Sequence, residues 1–343
     1  MTSNDSAGGT AQLPSISLPE LSLSIYRLEF ESADPWEPRG YPGSAWRGMF
    51  GRALKHLVCV TRETDCTKCM LYRSCVYPYV FETPPTMAGG LLGEYRTVPH
   101  PYTLYPVPCV GPSHRHGVEL GLFGEANRFV AYLVQALRQA ARQGLQLDGQ
   151  PLELRSVHQE QQTGSGLWRE IFTGEGALEA AAPCPPAIPP MPPRVKVRLE
   201  TPLRLRHRSH YVTPESFEFR DLALSLVRRF SSLLRYHGGR ELAADFPNLA
   251  ESARHVSIEY RDLVWKDWTR YSSRQRTHMQ LGGMQGQFEL KTEGLGEIWP
   301  YLWKGQWTHA GKATSMGLGR YRIEAVRGSS TSLRIHGEEV RDS

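Results

Sequence analysis

The sequence predicts an α+β protein built from two tandem ferredoxin-like units, with a cysteine-rich insertion in the first. Three observations carry this expectation. At 343 residues the chain is long enough for two domains with buried cores. Ala180–Pro193 is rich in proline and carries no charge, so 181–193 reads as a stiff, extended linker. On each side of it the hydrophobic periodicity gives strand–helix–strand and then strand–helix–strand, the order of a ferredoxin-like unit.

In the first unit, 18–180, Leu21, Leu23, Ile25 and Leu28 stand among polar residues and predict a strand over Leu18–Glu31. Pro35–Gly43 reads as a loop and Ser44 as the N-cap of a helix over Ala45–Val58. Trp46, Phe50, Ala53, Leu54 and Leu57 form its apolar stripe. The cysteine-bearing insertion, 59–78, follows. Tyr79–Pro108, rich in proline and aromatics, has extended character, and His114-Arg115-His116 reads as a polar loop. Gly117–Gly124 alternates as a strand does, Ala126–Gln143 is a second amphipathic helix, and Leu152–Val157 and Trp168–Phe172 read as strands.

In the second unit, 194–328, strands are predicted over Val195–Leu205, Val256–Tyr260, Leu281–Leu290 and Tyr321–Val326. Helices are predicted over Ser216–Tyr236 and Ile298–Trp303. Residues 329–343 read as a tail. The polar start, 1–17, reads as a disordered leader without the basic and apolar regions of a signal peptide, which leads to the expectation of a cytoplasmic protein. No apolar run reaches the length of a membrane span.

Charge narrows the function. Lys and Arg number 40 against 35 Asp and Glu, a formal excess of +5. The excess is clustered: Arg194, Lys196, Arg198, Arg204, Arg206 and Arg208 lie in one stretch, and Lys266, Arg270, Arg274 and Arg276 in another, beside Trp268 and Tyr271. Clustered arginine interleaved with aromatic residues is the footprint of a nucleic-acid surface; a solvated basic face is the plainer alternative.

Gly311-Lys312-Ala313-Thr314-Ser315-Met316-Gly317-Leu318-Gly319-Arg320-Tyr321 is a glycine-rich segment with flanking cations and two hydroxyls. It follows a helix and precedes a strand, the reverse of the order in a dinucleotide fingerprint, and its lysine sits in the wrong place for a P-loop. It reads as an anion-holding loop or as a tight turn.

Cys59, Cys66, Cys69 and Cys75 cluster in one short polar segment. In a reducing compartment such spacing points to metal more than to disulfides. Cys66-x2-Cys69 suits half of a tetrahedral zinc knuckle, so structural Zn²⁺ is expected; unligated thiols and an iron–sulfur cluster are the alternatives. Four sulfur ligands would leave no open coordination position, so no catalytic metal is expected.

Several segments resemble, in order from about residue 44 to 323, the CRISPR-associated precursor-crRNA endoribonucleases of the RAMP superfamily. They are Trp46-Arg47-Gly48-x2-Gly51-Arg52-Ala53-Leu54 with the cysteine segment, Leu224-x3-Arg228-Arg229-x3-Leu233-x2-Tyr236-His237-Gly238, Trp268-x-Arg270-Tyr271-Ser272-x-Arg274-Gln275, Leu281-Gly282-Gly283-x2-Gly286, and Trp307-x-His309-x-Gly311-Lys312-x-Thr314-x2-Gly317-Leu318-Gly319-Arg320-Tyr321. The resemblance implies two RNA-recognition-type ferredoxin-like domains. It implies cleavage of CRISPR repeat RNA without a catalytic metal, leaving a 2′,3′-cyclic phosphate and a 5′-hydroxyl. It further implies retention of the crRNA product, other CRISPR effector subunits as partners, and a glycine-rich loop that belongs to the RNA-binding apparatus. The alternative is an inactive crRNA-binding subunit of the same fold.

Attack by a ribose 2′-hydroxyl needs a base, relief of charge on the departing oxygen, and cations around the phosphorane. His56 is the first candidate base. It sits where several family members carry a catalytic histidine, and Arg52, one turn before it, would favour the neutral imidazole. Tyr41 is a candidate donor or orienting group, Arg47 and Arg52 are candidate phosphate ligands, and His309 is the second histidine candidate. Each has a plainer structural alternative. Lys312, Arg320, Arg270, Arg274, Arg276, Arg204 and Arg206 are candidate RNA phosphate contacts, Tyr271 a stacking platform, and Gly311, Gly317 and Gly319 the loop glycines.

Overall fold

Alternating burial along Leu23–Trp36 forms the long first strand, β1. Its two faces serve two cores, because successive side chains of a strand point in opposite directions. Tyr26, Leu28 and Phe30 join the core of the first domain, while Leu23 and Ile25 join that of the second. The structure, a computed structural model, describes residues 20–38, 40–84, 98–143, 150–208, 210–242, 244–267 and 282–326, and the backbone alone at 269–272 and 277–280. The expected leader and tail lie outside the described residues.

The first domain continues with α1 (Gly43–Val58), β2 (Tyr102–Pro106), β3 (Ser113–Phe123), α2 (Val130–Arg142), β4 (Leu152–Glu160) and β5 (Trp168–Phe172). Its antiparallel sheet has the order β2-β3-β1-β4-β5. The first four of these strands make the ferredoxin-like sheet, and β5 extends one edge. Trp46, Phe50 and Leu54 of α1 and Leu133 and Leu137 of α2 bury against Leu28, Leu104 and Leu120 of the sheet. Three local expectations are corrected. Ser44 does not cap α1; Pro42 holds that position, without a side-chain hydrogen bond. His114-Arg115-His116 is strand, with His116 buried beside Trp36. The helix expected from Ala126 is preceded by a 3-10 turn over Gly124–Phe129.

The second domain runs β6 (Arg194–Leu203), the hairpin β7 (Arg206–His207) and β8 (His210–Tyr211), α3 (Phe219–His237), α4 (Phe246–His255), β9 (Ile258–Lys266), the hairpin β10 (Thr269–Ser272) and β11 (Thr277–Gln280), β12 (Gly283–Lys291), α5 (Trp299–Thr308) and β13 (Tyr321–Ala325). The sheet order β13-β6-β12-β9 is again ferredoxin-like and antiparallel. A capping box between Glu218 and Asp221 starts α3. The additional helix α4, absent from the sequence reading, is capped by Asp245.

The proline stretch is strapped to both domains. The Trp299 and Trp303 indoles donate to the carbonyls of Pro189 and Ala187 at 2.9 and 2.8 Å. On the other side Thr163 N donates to Cys184 O at 2.9 Å and Gln159 Nε2 to Ala181 O at 3.1 Å. The prolines keep this stretch out of a regular ladder, so its carbonyls are satisfied by donors from the domains.

Candidate nucleic-acid interface

The glycine-rich loop is wedged between the domains. Gly319 N donates to Pro202 O at 3.0 Å, and Lys312 N to Arg204 O at 3.0 Å. From the first domain, the Tyr41 hydroxyl donates to Met316 O at 2.7 Å and Arg47 Nε to Ser315 Oγ at 3.1 Å. Two glycines set this closeness. Gly317 has φ +87°, and a Cβ on it would stand 2.1 Å from Tyr41 Oη and 2.7 Å from Leu104 O. A Cβ on Gly43, at the start of α1, would meet Met316 O at 2.0 Å. Gly311 and Gly319 share the positive φ of Gly317. The glycines thus have a packing role against protein, and most of the loop beyond Lys312 is half-buried or buried.

Arg320, expected to contact phosphate, is committed to carboxylates. Its Nε pairs with Glu200 at 2.7 Å and its Nη1 with Glu119, which also takes Arg27 at 2.6 Å. The Arg320 guanidinium lies 3.9 Å from the Tyr105 ring centroid. Burial pushes the Glu119 carboxyl up, but Arg320 and Arg27 outweigh it and hold it below its usual range. His309, the second histidine candidate, is 2% exposed, and burial with the nearby Arg320 and Arg229 drives its basicity well down. It is a seam histidine, cut off from solvent. Tyr41 is likewise taken up, its hydroxyl donating to the loop, and burial raises its pKa.

His56 and Arg52 are exposed on α1. His56 is nine residues beyond Arg47, hence about 13 Å along the axis and on the opposite face of the helix. The structure therefore separates His56 from the loop. Arg47, half-buried, faces the loop, and its Nη2 lies 3.1 Å from His100 Nε2. His100 was missed by the sequence reading because it carries no motif. Burial first, then Arg47 and Arg229, push it down to about 3, so it is neutral and accepts from Arg47.

The basic strand β6 is neutralised by its neighbours. Arg194 pairs with Glu259 at 2.6 Å, Lys196 with Glu289 at 3.2 Å, and Arg198 with Glu324 at 3.5 Å. The basic surface continues past the strand. Lys312 and Arg206 are exposed, and Arg204 and Arg206 lie 4.6 and 4.8 Å from the ring centroid of Tyr211, itself 40% exposed. Tyr211 also approaches Trp265 at 6.4 Å. Beside them, His207 Nδ1 stands 2.8 Å from Asp221 Oδ1, an exposed imidazole oriented by a carboxylate. Tyr211, His207 and Asp221 were also missed, and the Arg204-to-Arg208 run was the only signal near them. Arg270 and Tyr271 lie on β10, but their side chains fall outside the described residues, as do Trp268, Arg274 and Arg276.

The four cysteines line one cavity of about 20 Å³ with Lys55 and Tyr72. Cys66 is buried, the other three are half-buried, and none is in a disulfide. Among the described residues no three His, Cys, Asp or Glu side chains are placed to hold a metal ion. The donor chemistry suits zinc, but the arrangement does not form a ligand set.

Comparison with known proteins fits this geometry. Residues 21–183 match a family model described as the AF_1859_N N-terminal domain, and residues 197–321, which contain the glycine-rich loop, match the CRISPR-associated endoribonuclease Cas6. Residues 197–321 thus match a Cas6 endoribonuclease domain. Among solved structures it resembles the product complex of the Cas6 protein TTHB231, at 17% identity over 88% of this chain and 100% of that one, with a TM-score of 0.54. The product complex of the Cas6 protein TTHA0078 is similar at 18% identity, 89% and 100% coverage and a TM-score of 0.50. The partial Cas6-RT-Cas1–Cas2 complex matches at 13% identity over 90% of this chain and 47% of that one, with a TM-score of 0.51. No curated protein matches this sequence. The Cas6-type fold is thus shared as two ferredoxin-like domains, and the match over 197–321 supports an RNA endonuclease. Among the described residues no helix is long and apolar enough to cross a membrane.

Proposed function

We propose that this Cas6-type chain cuts CRISPR precursor RNA within its repeats, by attack of a ribose 2′-hydroxyl on the adjacent phosphate. The ends are a 2′,3′-cyclic phosphate and a 5′-hydroxyl, and the crRNA product stays bound, open to handover to other CRISPR effector subunits. The observation that carries this reading is the endoribonuclease match over 197–321, whose glycine-rich loop is held against α1 by Tyr41 and Arg47. The exposed Lys312 and Arg206 suit phosphate contacts. No metal is assigned to the chemistry. His56, exposed on α1, is the proposed base, with Arg52 one turn before it the proposed phosphate-facing cation; Arg47, on the opposite face beside the glycine-rich loop, is proposed to meet a different phosphate of the same strand.

The test is cleavage of end-labelled repeat RNA in EDTA. Single-site cutting by wild type, with a cyclic phosphate end, is expected to drop by about 10²–10⁴-fold in His56→Ala while binding persists. Uncut but tightly held RNA would favour an inactive crRNA-binding subunit. Full activity in His56→Ala would move the base elsewhere, with His207 next because Asp221 orients it.

The cysteine segment is proposed as a separate structural zinc clip, formed if Cys59, Cys66, Cys69 and Cys75 draw together across their shared cavity. Metal analysis of the same purified protein checks it: one zinc per chain, lost in Cys66→Ser, is expected, and metal-free protein rejects it.

A further inference from the structure

Cys109 and Cys184 lie outside the cysteine segment that follows α1, and Cys109 stands beside a histidine. It sits in the loop that joins β2 to β3, between Pro108 and Pro112, and Val107 N donates to Gly117 O at 2.8 Å to close that loop. Proline on both sides of the cysteine restricts the backbone there. Cys109 Sγ lies 3.7 Å from His116 Nδ1 and 3.6 Å from Arg115 O. The thiol is half-buried, and its chain neighbours Pro108 and Val110 are exposed.

His116 is held in place behind the thiol. It is 5% exposed, and its ring centroid lies 5.0 Å from that of Trp36. Its Nε2 is 3.4 Å from Ser32 Oγ. The Ser32 hydroxyl donates to Asp34 O at 2.6 Å, so toward His116 it offers a lone pair. This chain of hydrogen bonds assigns the ring proton to Nε2 and leaves the Nδ1 lone pair facing the thiol. The proposed RNA cleavage makes no use of these three side chains.

The order thiol, imidazole, hydroxyl is that of an activated nucleophile: a base beside the sulfur, and a third group that orients the base. At rest the pair is neutral. Burial and then the Glu37 charge raise the Cys109 thiol, while burial, against the Ser113 carbonyl, lowers His116. Thiolate is the attacking form of cysteine, so the proton has to leave as the sulfur attacks, and Nδ1 is placed to take it.

We propose that Cys109 is a modification site for small disulfides, with His116 as its base and Ser32 orienting that base. Cys109 Sγ forms a bond to one sulfur of the disulfide as the S–S bond breaks. The Cys109 proton passes to His116 Nδ1 and from there to the departing thiolate. The products are a mixed disulfide on Cys109 and one small thiol, and no other oxidant is consumed. The site stands independently of the RNA reading.

The experiment incubates the full chain with 2-hydroxyethyl disulfide, which is uncharged, and follows each modified cysteine peptide by mass spectrometry. Cys184, also half-buried, is the internal reference. Cys109 is expected to react about tenfold faster than Cys184 or more. His116→Phe keeps a ring against Trp36 but removes the base; it should slow Cys109 by about a hundredfold and leave Cys184 unchanged. Ser32→Ala removes the acceptor of the Nε2 proton and should slow Cys109 by a smaller factor. A wild type in which Cys109 reacts no faster than Cys184 overturns the site, and so does a Cys109 rate unchanged in His116→Phe. If Cys184 accelerates in the Phe variant, its fold has opened, and the Ser32→Ala rate decides: slowed supports the site, unchanged overturns it.

Discussion

At the residue scale, the same side-chain type has different chemistry according to its surroundings. Of the histidines, His56 lies in water, while His100, His237 and His309 line the seam and are held neutral chiefly by burial. Their lowered pKa values fix a pH dependence. Below the ordinary histidine value, near 6.5, the unfolded chain takes up protons that the native seam refuses. Stability is therefore complete above about pH 6.5. It falls toward pH 4, by up to about 1.4 kcal/mol per pH unit for each imidazole. Urea midpoints at pH 7.5, 6 and 5 check this; a flat profile would mean that the three rings titrate freely in the native protein. Glu119, whose pKa is lowered, adds its own loss only below the usual carboxylate range.

At the scale of elements, β6 and the hairpin after it diverge although the sequence between Arg194 and Arg208 is evenly basic. The strand lies between β13 and β12, and their Glu324 and Glu289, with Glu259 from β9, cancel its cations. The β7–β8 hairpin projects beyond that sheet and keeps its arginines against Tyr211. Arg206→Ala and Lys312→Ala should each weaken repeat binding at low salt and reduce the slope of log K against log salt by about 1. Arg198→Ala, within the paired ladder, should leave that slope nearly unchanged. Filter binding across a salt series distinguishes them, and equal effects from all three would contradict the division. Near-surface pairs such as Arg198–Glu324 contribute little to stability, so their role is to set where the positive surface begins.

At the scale of the molecule, two domains share apolar and ionic contacts across one seam. Leu23, Ile25 and Phe123 of the first domain pack among Leu199, Phe230 and Trp307 of the second. Arg320 joins Glu119 of the first domain to Glu200 of the second. Arg320→Met would leave the buried Glu119 with Arg27 alone and the half-buried Glu200 with Arg322 at 3.4 Å, and a loss of about 1–3 kcal/mol is expected. Chemical denaturation measures it, and a loss below about 1 kcal/mol would show the seam indifferent to this triad.

The order of elements in both domains was legible because it rests on periodicity and punctuation within the chain. Trp46, Phe50 and Leu54 mark α1, the prolines mark the boundary, and glycine marks the loop before Tyr321. The helix α4 was not legible: it is only ten residues long, and Pro247 near its start reads as a breaker in sequence. The cysteine cluster was visible as a cluster, and its four thiols do line one cavity, but spacing alone could not say whether they converge. For the candidate site, the sequence by itself determined which residues could bear charge or protons. Only the tertiary structure decided which of them are spoken for. Arg320 and Arg229 read alike as arginines, yet one meets carboxylates more than a hundred positions away in the chain and the other meets none among the described residues. Helical phase likewise sets Arg47 and His56 on opposite faces of α1, and only the packing of the loop against that helix shows which face looks into the seam. Charge compensation and burial depend on partners brought together by folding, and local sequence carries no record of those partners.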